Sequence, residues 1–161
     1  MLSKTGVPTS EQLEVVKPPA ERRAAGPVVV VECFQEIPCD PCYTACRRGA
    51  FLPFKDINDL PELDLEKCNG CAVCVGACPG LAVFVVDETY SSDRALVTIP
   101  WEFLPVPAEG STVEGLSREG EAVAEVLVKK VRSAGKNNNT YLLTLVVPKK
   151  HAYDIRSIRS K

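Results

Sequence analysis

Along the chain the hydrophobic positions fall into zones of different period, and each zone predicts a different kind of element. Residues 1–26 are polar and contain prolines. Within them Thr9-Ser10-Glu11-Gln12 fits a capping box opening a short helix with Leu13 and Val16 on one side, and Pro18-Pro19 ends it. A helix of that length is not stable alone, so this arm needs a surface to dock on, its own body or a partner. Pro27-Val28-Val29-Val30-Val31 is β-branched and predicts a strand that delivers the chain into Cys33.

From 27 to 98 the sequence carries a weak internal repeat. A cysteine cluster ending at Cys46 precedes Gly49-Ala50-Phe51-Leu52, and a second ending at Cys78 precedes Gly80-Leu81-Ala82-Val83-Phe84-Val85-Val86. Each half therefore predicts a Cys-rich loop, a short turn of helix and a strand. In the connection, 47–67, Ile57, Leu60, Leu63 and Leu65 predict an ordered segment that packs on the half it leaves. Pro100, Pro105 and Pro107 around Trp101 and Phe103 predict a break in regular structure and a domain boundary. Beyond Gly110 the expectation is strands: 122–131, a polar turn over 133–139, then 140–147. Tyr141, Leu143, Leu145 and Val147 share one face there by period two, so a β-hairpin is predicted. With Thr112-Val113, Leu116, Ile155 and Ile158 this makes a small β-domain, closed by a basic tail of Arg156, Arg159 and Lys161. The expected fold class is α+β, divided into an N-terminal docking arm (1–26), a cysteine-rich domain (27–98) and a small C-terminal β-domain (99–161).

Composition then narrows the functions. With 45% hydrophobic and 25% charged residues the chain can bury a core, which excludes global disorder. Its 19 Lys and Arg against 21 Asp and Glu leave a formal charge of −2, so no global field draws nucleic acid or an anionic membrane. No apolar run is long enough to span a bilayer, and residues 1–26 lack the apolar stretch of a secretory signal. A soluble, cytoplasmic protein with reduced thiols is expected. The 8 cysteines change the picture most. All lie between Cys33 and Cys78, so disulfides would staple one part of the chain only, and metal ligation is the better reading.

The second cysteine run is Cys68-Asn69-Gly70-Cys71-Ala72-Val73-Cys74-Val75-Gly76-Ala77-Cys78-Pro79, which is C-x2-C-x2-C-x3-C-P without deviation. Three thiolates at that spacing wrap a tight loop around three corners of an iron–sulfur cubane, with backbone N–H groups turned inward. The fourth is expected to begin a helix, point away and serve another cluster. The first run, Cys33-x5-Cys39-x2-Cys42-x3-Cys46, keeps the later spacings, with a longer first gap and Arg47 where a proline is expected. Structural zinc is the competing reading, although zinc sites usually present C-x2–4-C knuckles separated by a spacer. The long gap, Phe34-Gln35-Glu36-Ile37-Pro38, also leaves open a strained or labile Cys33 and a [3Fe–4S] cluster in that half.

Residues 27–98 resemble a bacterial-type two-[4Fe–4S] ferredoxin domain. The resemblance implies an exchange of ligands between the halves, with Cys33, Cys39, Cys42 and Cys78 around one [4Fe–4S] cluster and Cys68, Cys71, Cys74 and Cys46 around the other. More narrowly, the whole chain is similar to the small iron–sulfur subunits of multi-subunit FAD-dependent amino-acid dehydrogenases, the proline, hydroxyproline, opine and sarcosine-oxidase-like group. That likeness rests on Glu32-Cys33-Phe34-Gln35-Glu36-Ile37-Pro38-Cys39-Asp40-Pro41-Cys42 and on the flanking arm and β-tail. The long gap is that family's own pattern, whereas its usual proline after the fourth Cys is Arg47 here. The resemblance implies a subunit that relays single electrons to or from a flavin, in a hetero-oligomer with flavoprotein dehydrogenase subunits. A free-standing soluble ferredoxin and a structural or interaction module whose metal only holds the fold are the alternatives.

No other motif points to catalysis. The chain has no G-x-G-x-x-G, Walker run or G-x-S-x-G, and His151, its only histidine, is expected at the surface. Arg47, Arg48 and Lys67 flank the ligands, where positive charge favours a cluster's reduced form; solvated surface cations are the simpler reading. Asp56, Asp59, Glu62, Asp64 and Glu66 form an acidic connector read as solvated loop, and Trp101 with Phe103 as packing between domains.

Overall fold

The computed structural model describes residues 2–159. Seven strands form one sheet: β1 (Val28–Val31), β2 (Val83–Asp87), β3 (Arg94–Trp101), β4 (Thr112–Leu116), β5 (Ala122–Gly135), β6 (Asn138–Pro148) and β7 (Ser157–Arg159). Their order is β1-β2-β3-β6-β5-β4-β7, and the pairings are antiparallel. Five short helices accompany the sheet. α1 (Leu2–Thr5), α2 (Ser10–Val16) and α3 (Ala20–Ala24) make up the arm, while α4 (Pro41–Ala45) and α5 (Val73–Ala77) lie in the cysteine-rich part.

Both faces of the sheet near β1 are covered, which explains the unbroken valine run. Val30 enters one core with Ile99, Leu143, Leu145 and Val147, whereas Val29 and Val31 enter another with Phe51, Val75, Val83 and Val85. A strand buried on both faces loses the alternation that a half-solvated strand shows. The second core is where the cysteines pack.

Three sequence expectations are corrected. The break expected at Pro100 is absent, because Pro100 sits inside β3 opposite Leu142 of β6. Pairing with β2 stops at Thr98, so one edge of β3 is already without a ladder where the proline lies. The boundary drawn at 98/99 therefore falls within a strand, and the sheet runs on from the cysteine-rich part into the C-terminal strands. The strand expected at Gly49-Ala50-Phe51-Leu52 is reduced to a single bridge between Phe51 and Leu63. Pro53 and Pro61 cannot donate to a ladder and stop its growth. In the same connection Leu63 and Leu65 do pack on the second core, but Ile57 and Leu60 are exposed.

The basic tail is also misread from sequence. Arg156 is buried, with its Nε donating to Glu32 at 2.7 Å and its guanidinium over the Phe84 ring at 4.7 Å. Arg118 donates to the same carboxylate through Nε at 2.8 Å. Glu32 follows β1, Arg118 follows β4 and Arg156 precedes β7, so one carboxylate joins the two edges of the sheet. Burial alone would push Glu32 up, but Arg118 and Arg156 outweigh it and hold the carboxyl below its ordinary value. Arg159 pairs with Glu114, and Lys161 lies outside the described residues.

The arm follows its capping box. Gln12 N–H donates to Thr9 Oγ1 at 3.3 Å, and Thr9 N–H donates to Gln12 Oε1 at 2.9 Å. α2 stops before Pro18-Pro19 as expected, and Pro19 then stands directly before α3, a restart the sequence reading did not include. The arm lies on its own body: Val16 packs against the first core and Arg23 pairs with Glu88 at 2.8 Å.

Candidate metal centre

At Glu32 the chain leaves the sheet and at Ala82 it returns, with Glu32 N–H donating to the Ala82 carbonyl at 2.8 Å. All the cysteines lie on the excursion between these points. They form two groups. Cys42 stands among Cys78, Cys33 and Cys39, and Cys74 among Cys68, Cys71 and Cys46. Each group thus takes three cysteines from one run and one from the other, and all 8 are free thiols.

Local structure produces this exchange. α4 carries Cys42 and α5 carries Cys74, and the fourth cysteine of each run closes the C-terminal end of its helix instead of beginning one. Cys46 and Cys78 have extended backbone, which turns each thiol away from the helical cysteine four residues before it. Before α5, Gly70 at φ +69° and Ala72 at φ +63° bend the chain through the left-handed region, so Cys68 and Cys71 sit on a tight loop. Gly70 has a second reason to lack a side chain, since a Cβ there would meet Pro27 Cβ at 2.5 Å. Ala72 pays a Cβ penalty of about 1–2 kcal/mol for the same bend, the kind of local strain that collects at functional loops.

Backbone N–H groups face the sulfurs. Ala50 N–H donates to Cys46 Sγ, Gly70 N–H to Cys68 Sγ and Ala82 N–H to Cys78 Sγ, each at 3.4 Å. Burial pushes Cys42 up to about 11 and Cys74 up to about 12, and the neighbouring thiols of each group add to the rise. At Cys46 burial acts the same way but is outweighed by the N–H groups of Ala50, Arg48, Phe51 and Gly49, which leave its thiol below the ordinary value. Four sulfurs crowded in this way repel one another as thiolates and call for cationic metal between them. The Cys33 group lines a cavity of about 340 Å³ together with Leu2 and Pro8 of the arm. The Cys46 group lines a narrower space of about 20 Å³ whose wall includes the exposed Cys71. Among the described residues no three His, Cys, Asp or Glu side chains are placed to hold a single metal ion.

The arm and the C-terminal hairpin both grip the Cys68 loop. Arg22 donates to the carbonyls of Cys68 at 2.7 Å and Leu65 at 2.9 Å. Arg132 donates to the Cys71 carbonyl at 3.0 Å, and Asn138 Nδ2 to the Gly76 carbonyl at 2.6 Å. A Cβ at Gly76 would meet Ala134 Cβ at 2.5 Å, so α5 and the β5–β6 turn approach as closely as a glycine permits. Gly76→Ala is expected to lower stability by about 1–3 kcal/mol, the usual cost of overpacking. Denaturant unfolding of the metal-loaded protein measures it, and an unchanged midpoint would refute the close approach.

Comparison with known proteins places these residues. The model of a 4Fe–4S binding domain matches residues 61–84. An uncharacterized ferredoxin of Methanocaldococcus jannaschii is 33% identical over 58 residues, 35% of this chain and 75% of that protein. The chain belongs to the 4Fe–4S ferredoxin family. This ferredoxin also shares 33% identity over 54 residues with the thiosulfate reductase electron transfer subunit PhsB of Salmonella typhi, 34% of the chain and 27% of that protein. With the pyruvate synthase subunit PorD of Methanocaldococcus jannaschii it shares 35% over 52 residues, 32% of the chain and 58% of that subunit. It thus spans about a quarter of the first of these subunits and somewhat over half of the second. No solved structure matches the chain. The match is to an iron–sulfur domain of the kind that transfers electrons, and it covers about a third of this chain. No helix among the described residues is long and apolar enough to cross a membrane.

Of the other residues singled out in the sequence of this ferredoxin, Arg48 touches a thiol, through its backbone N–H on Cys46. Arg47 and Arg48 are exposed, and Lys67 pairs with Asp64 at 3.0 Å. His151 is half-buried and bonded to Asp154 at 2.9 Å. Trp101 is buried in the first core with the exposed Phe103 against it, edge to face at 5.2 Å. Arg22, Arg132 and Asn138 were not singled out. Nothing in their local sequence distinguishes them, because the carbonyls they reach in the cysteine-rich part lie at least 43 residues away.

Proposed function

We propose that this ferredoxin holds two [4Fe–4S] clusters, one on Cys33, Cys39, Cys42 and Cys78 and the other on Cys68, Cys71, Cys74 and Cys46. It relays single electrons through them to or from the flavin of a multi-subunit FAD-dependent amino-acid dehydrogenase. The observation that carries the cluster reading is the sorting of eight thiols into two groups of four, each completed by the other run. N–H donation to Sγ supports a thiolate ligand role, and the C-x2-C-x2-C-x3-C-P spacing favours a polynuclear cluster over zinc. Cys33 stands with Cys78 and Cys39 despite the long gap, which favours a full [4Fe–4S] cluster there over [3Fe–4S].

Each cluster supplies a site that accepts and returns one electron. The chain's own part is to fix the thiolates, shield them with the second core and set the local charge. Assembly with larger subunits is supported by the thiosulfate reductase and pyruvate synthase relatives, and the flavoprotein partner by the Glu32–Cys42 segment. In this proposal residues 27–98 carry the electrons, while 1–26 and 99–161 hold that part and offer surface to the partner; Phe103 and Leu104 are exposed there at 62% and 85%. The setting is cytoplasmic, where thiols stay reduced.

Protein purified without oxygen is expected to contain about eight iron and eight acid-labile sulfide per chain. Zinc as the dominant metal would overturn the cluster reading. Cys78→Ser is expected to alter the paramagnetic signal of the cluster on Cys33, Cys39 and Cys42 and to leave the other intact; loss of the Cys68 cluster instead refutes the ligand exchange. Co-purification of the untagged chain under the same conditions tests the partner: a FAD-containing dehydrogenase subunit is expected, and recovery of the carrier alone would favour a free-standing ferredoxin.

A further inference from the structure

Arg22 differs from the other guanidiniums that tie the molecule together. Arg23 is neutralised by Glu88, and Arg118 and Arg156 share Glu32. Arg22 spends its donors on backbone oxygens only: Nε on Leu65, Nη1 on Gly26 at 3.2 Å, and Nη2 on Pro27 at 3.0 Å and on Cys68. Among the described residues no carboxylate lies within ion-pairing distance of it. A half-buried, uncompensated positive charge is therefore clamped to the backbone of a proposed cluster ligand.

We propose that Arg22 is a positioning residue for the cluster on Cys46, Cys68, Cys71 and Cys74, fixing the Cys68 loop and raising that cluster's reduction potential. The inference rests on the cluster reading above. The peptide after Cys68 is planar, so anchoring its carbonyl on Arg22 also fixes the opposite direction of the Asn69 N–H and with it the start of the ligand loop. The planar fork of Arg22 holds four carbonyls in a fixed geometry, whereas a lysine has three donors on one freely turning ammonium. Reduction adds one negative charge to the cluster, and a nearby cation stabilises that state more than the oxidised one. Arg132 on the Cys71 carbonyl acts in the same sense, but it is exposed and screened by solvent.

The test is a redox titration of the full, iron-loaded chain with dithionite as the one-electron source, followed by the paramagnetic signals of both clusters. Arg22→Gln is expected to lower one midpoint only. At fixed potential the reduced-to-oxidised ratio of that cluster should fall about tenfold, which is about 59 mV for one electron. Repeating the titration with Cys78→Ser, which marks the Cys33 cluster, must show that the shifted cluster is the other one. Arg22→Lys keeps the charge but not the fork, so its midpoint should stay near that of the unmodified protein while iron release to a chelator speeds up. Arg23→Gln removes an arm charge that Glu88 already compensates and should move neither midpoint. Equal shifts of both clusters, or a shift in Arg23→Gln as large as in Arg22→Gln, would overturn the proposal, as would a midpoint in Arg22→Lys as low as in Arg22→Gln. Iron and sulfide near eight with unmoved midpoints in Arg22→Gln refute the role of Arg22, whereas a content far below eight in the unmodified chain refutes the two-cluster reading.

Discussion

Cys74→Ala is expected to halve the iron of the purified protein, from about eight to about four per chain, and to unfold the loop that carries Cys68 and Cys71. Cys74 is the buried member of its group and the only cysteine with less than a tenth of its surface exposed. Its removal takes a ligand from the first turn of α5 and opens a hole in the second core, which holds Val75, Phe51 and Ala72. Cys71 is exposed, so Cys71→Ala removes a ligand without that cavity. Iron and sulfide analysis together with amide exchange over 65–82 would check the result. An iron content unchanged in Cys74→Ala would refute the assignment of this residue as a ligand.

The second large effect is on stability. Glu32→Gln should cost about 3–5 kcal/mol, because it leaves Arg156 buried with an uncompensated charge. The side chains of Arg156 and Glu32 expose only 5% and 8% of their surface, and Arg118 stands on the same carboxylate with 12% exposed. Solvent can do little to replace the lost partner. An exposed pair such as Arg159 with Glu114 is worth far less, within about 1 kcal/mol. Parallel unfolding of Glu32→Gln and Glu114→Gln compares the two, and equal losses would show that the join at Glu32 carries no special weight.

These two predictions mark what the sequence can and cannot say. The cysteine run 68–79 is legible as part of a 4Fe–4S binding domain because its pattern is local: spacing, glycine and terminal proline all sit within a dozen residues. The same holds for the capping box at Thr9 and Gln12 and for the period-two face of β6. Pro100 misleads because its cost depends on whether an edge is paired, and that is settled by where β2 stops. Arg156 reads as part of a basic tail because its partner lies 124 residues earlier. Arg22 is invisible for a related reason, since its partners are carbonyl oxygens, which every residue carries. The join between the cysteine-rich part and the later strands is hidden likewise, because β3 pairs across it with β6.

The bond between Glu32 N–H and the Ala82 carbonyl closes a neck. Everything that reaches the thiols through the main chain hangs on that neck, and the first hydrophobic core contains no residue from 33 to 81. Loss of metal is therefore expected to open that region first and to leave the first core closed. The same partition orders biogenesis. The strands can close around Ile99, Leu143 and Ile155 before any iron arrives, whereas the opposite face of β1 and β2 waits for the cysteine-rich segment to cover it.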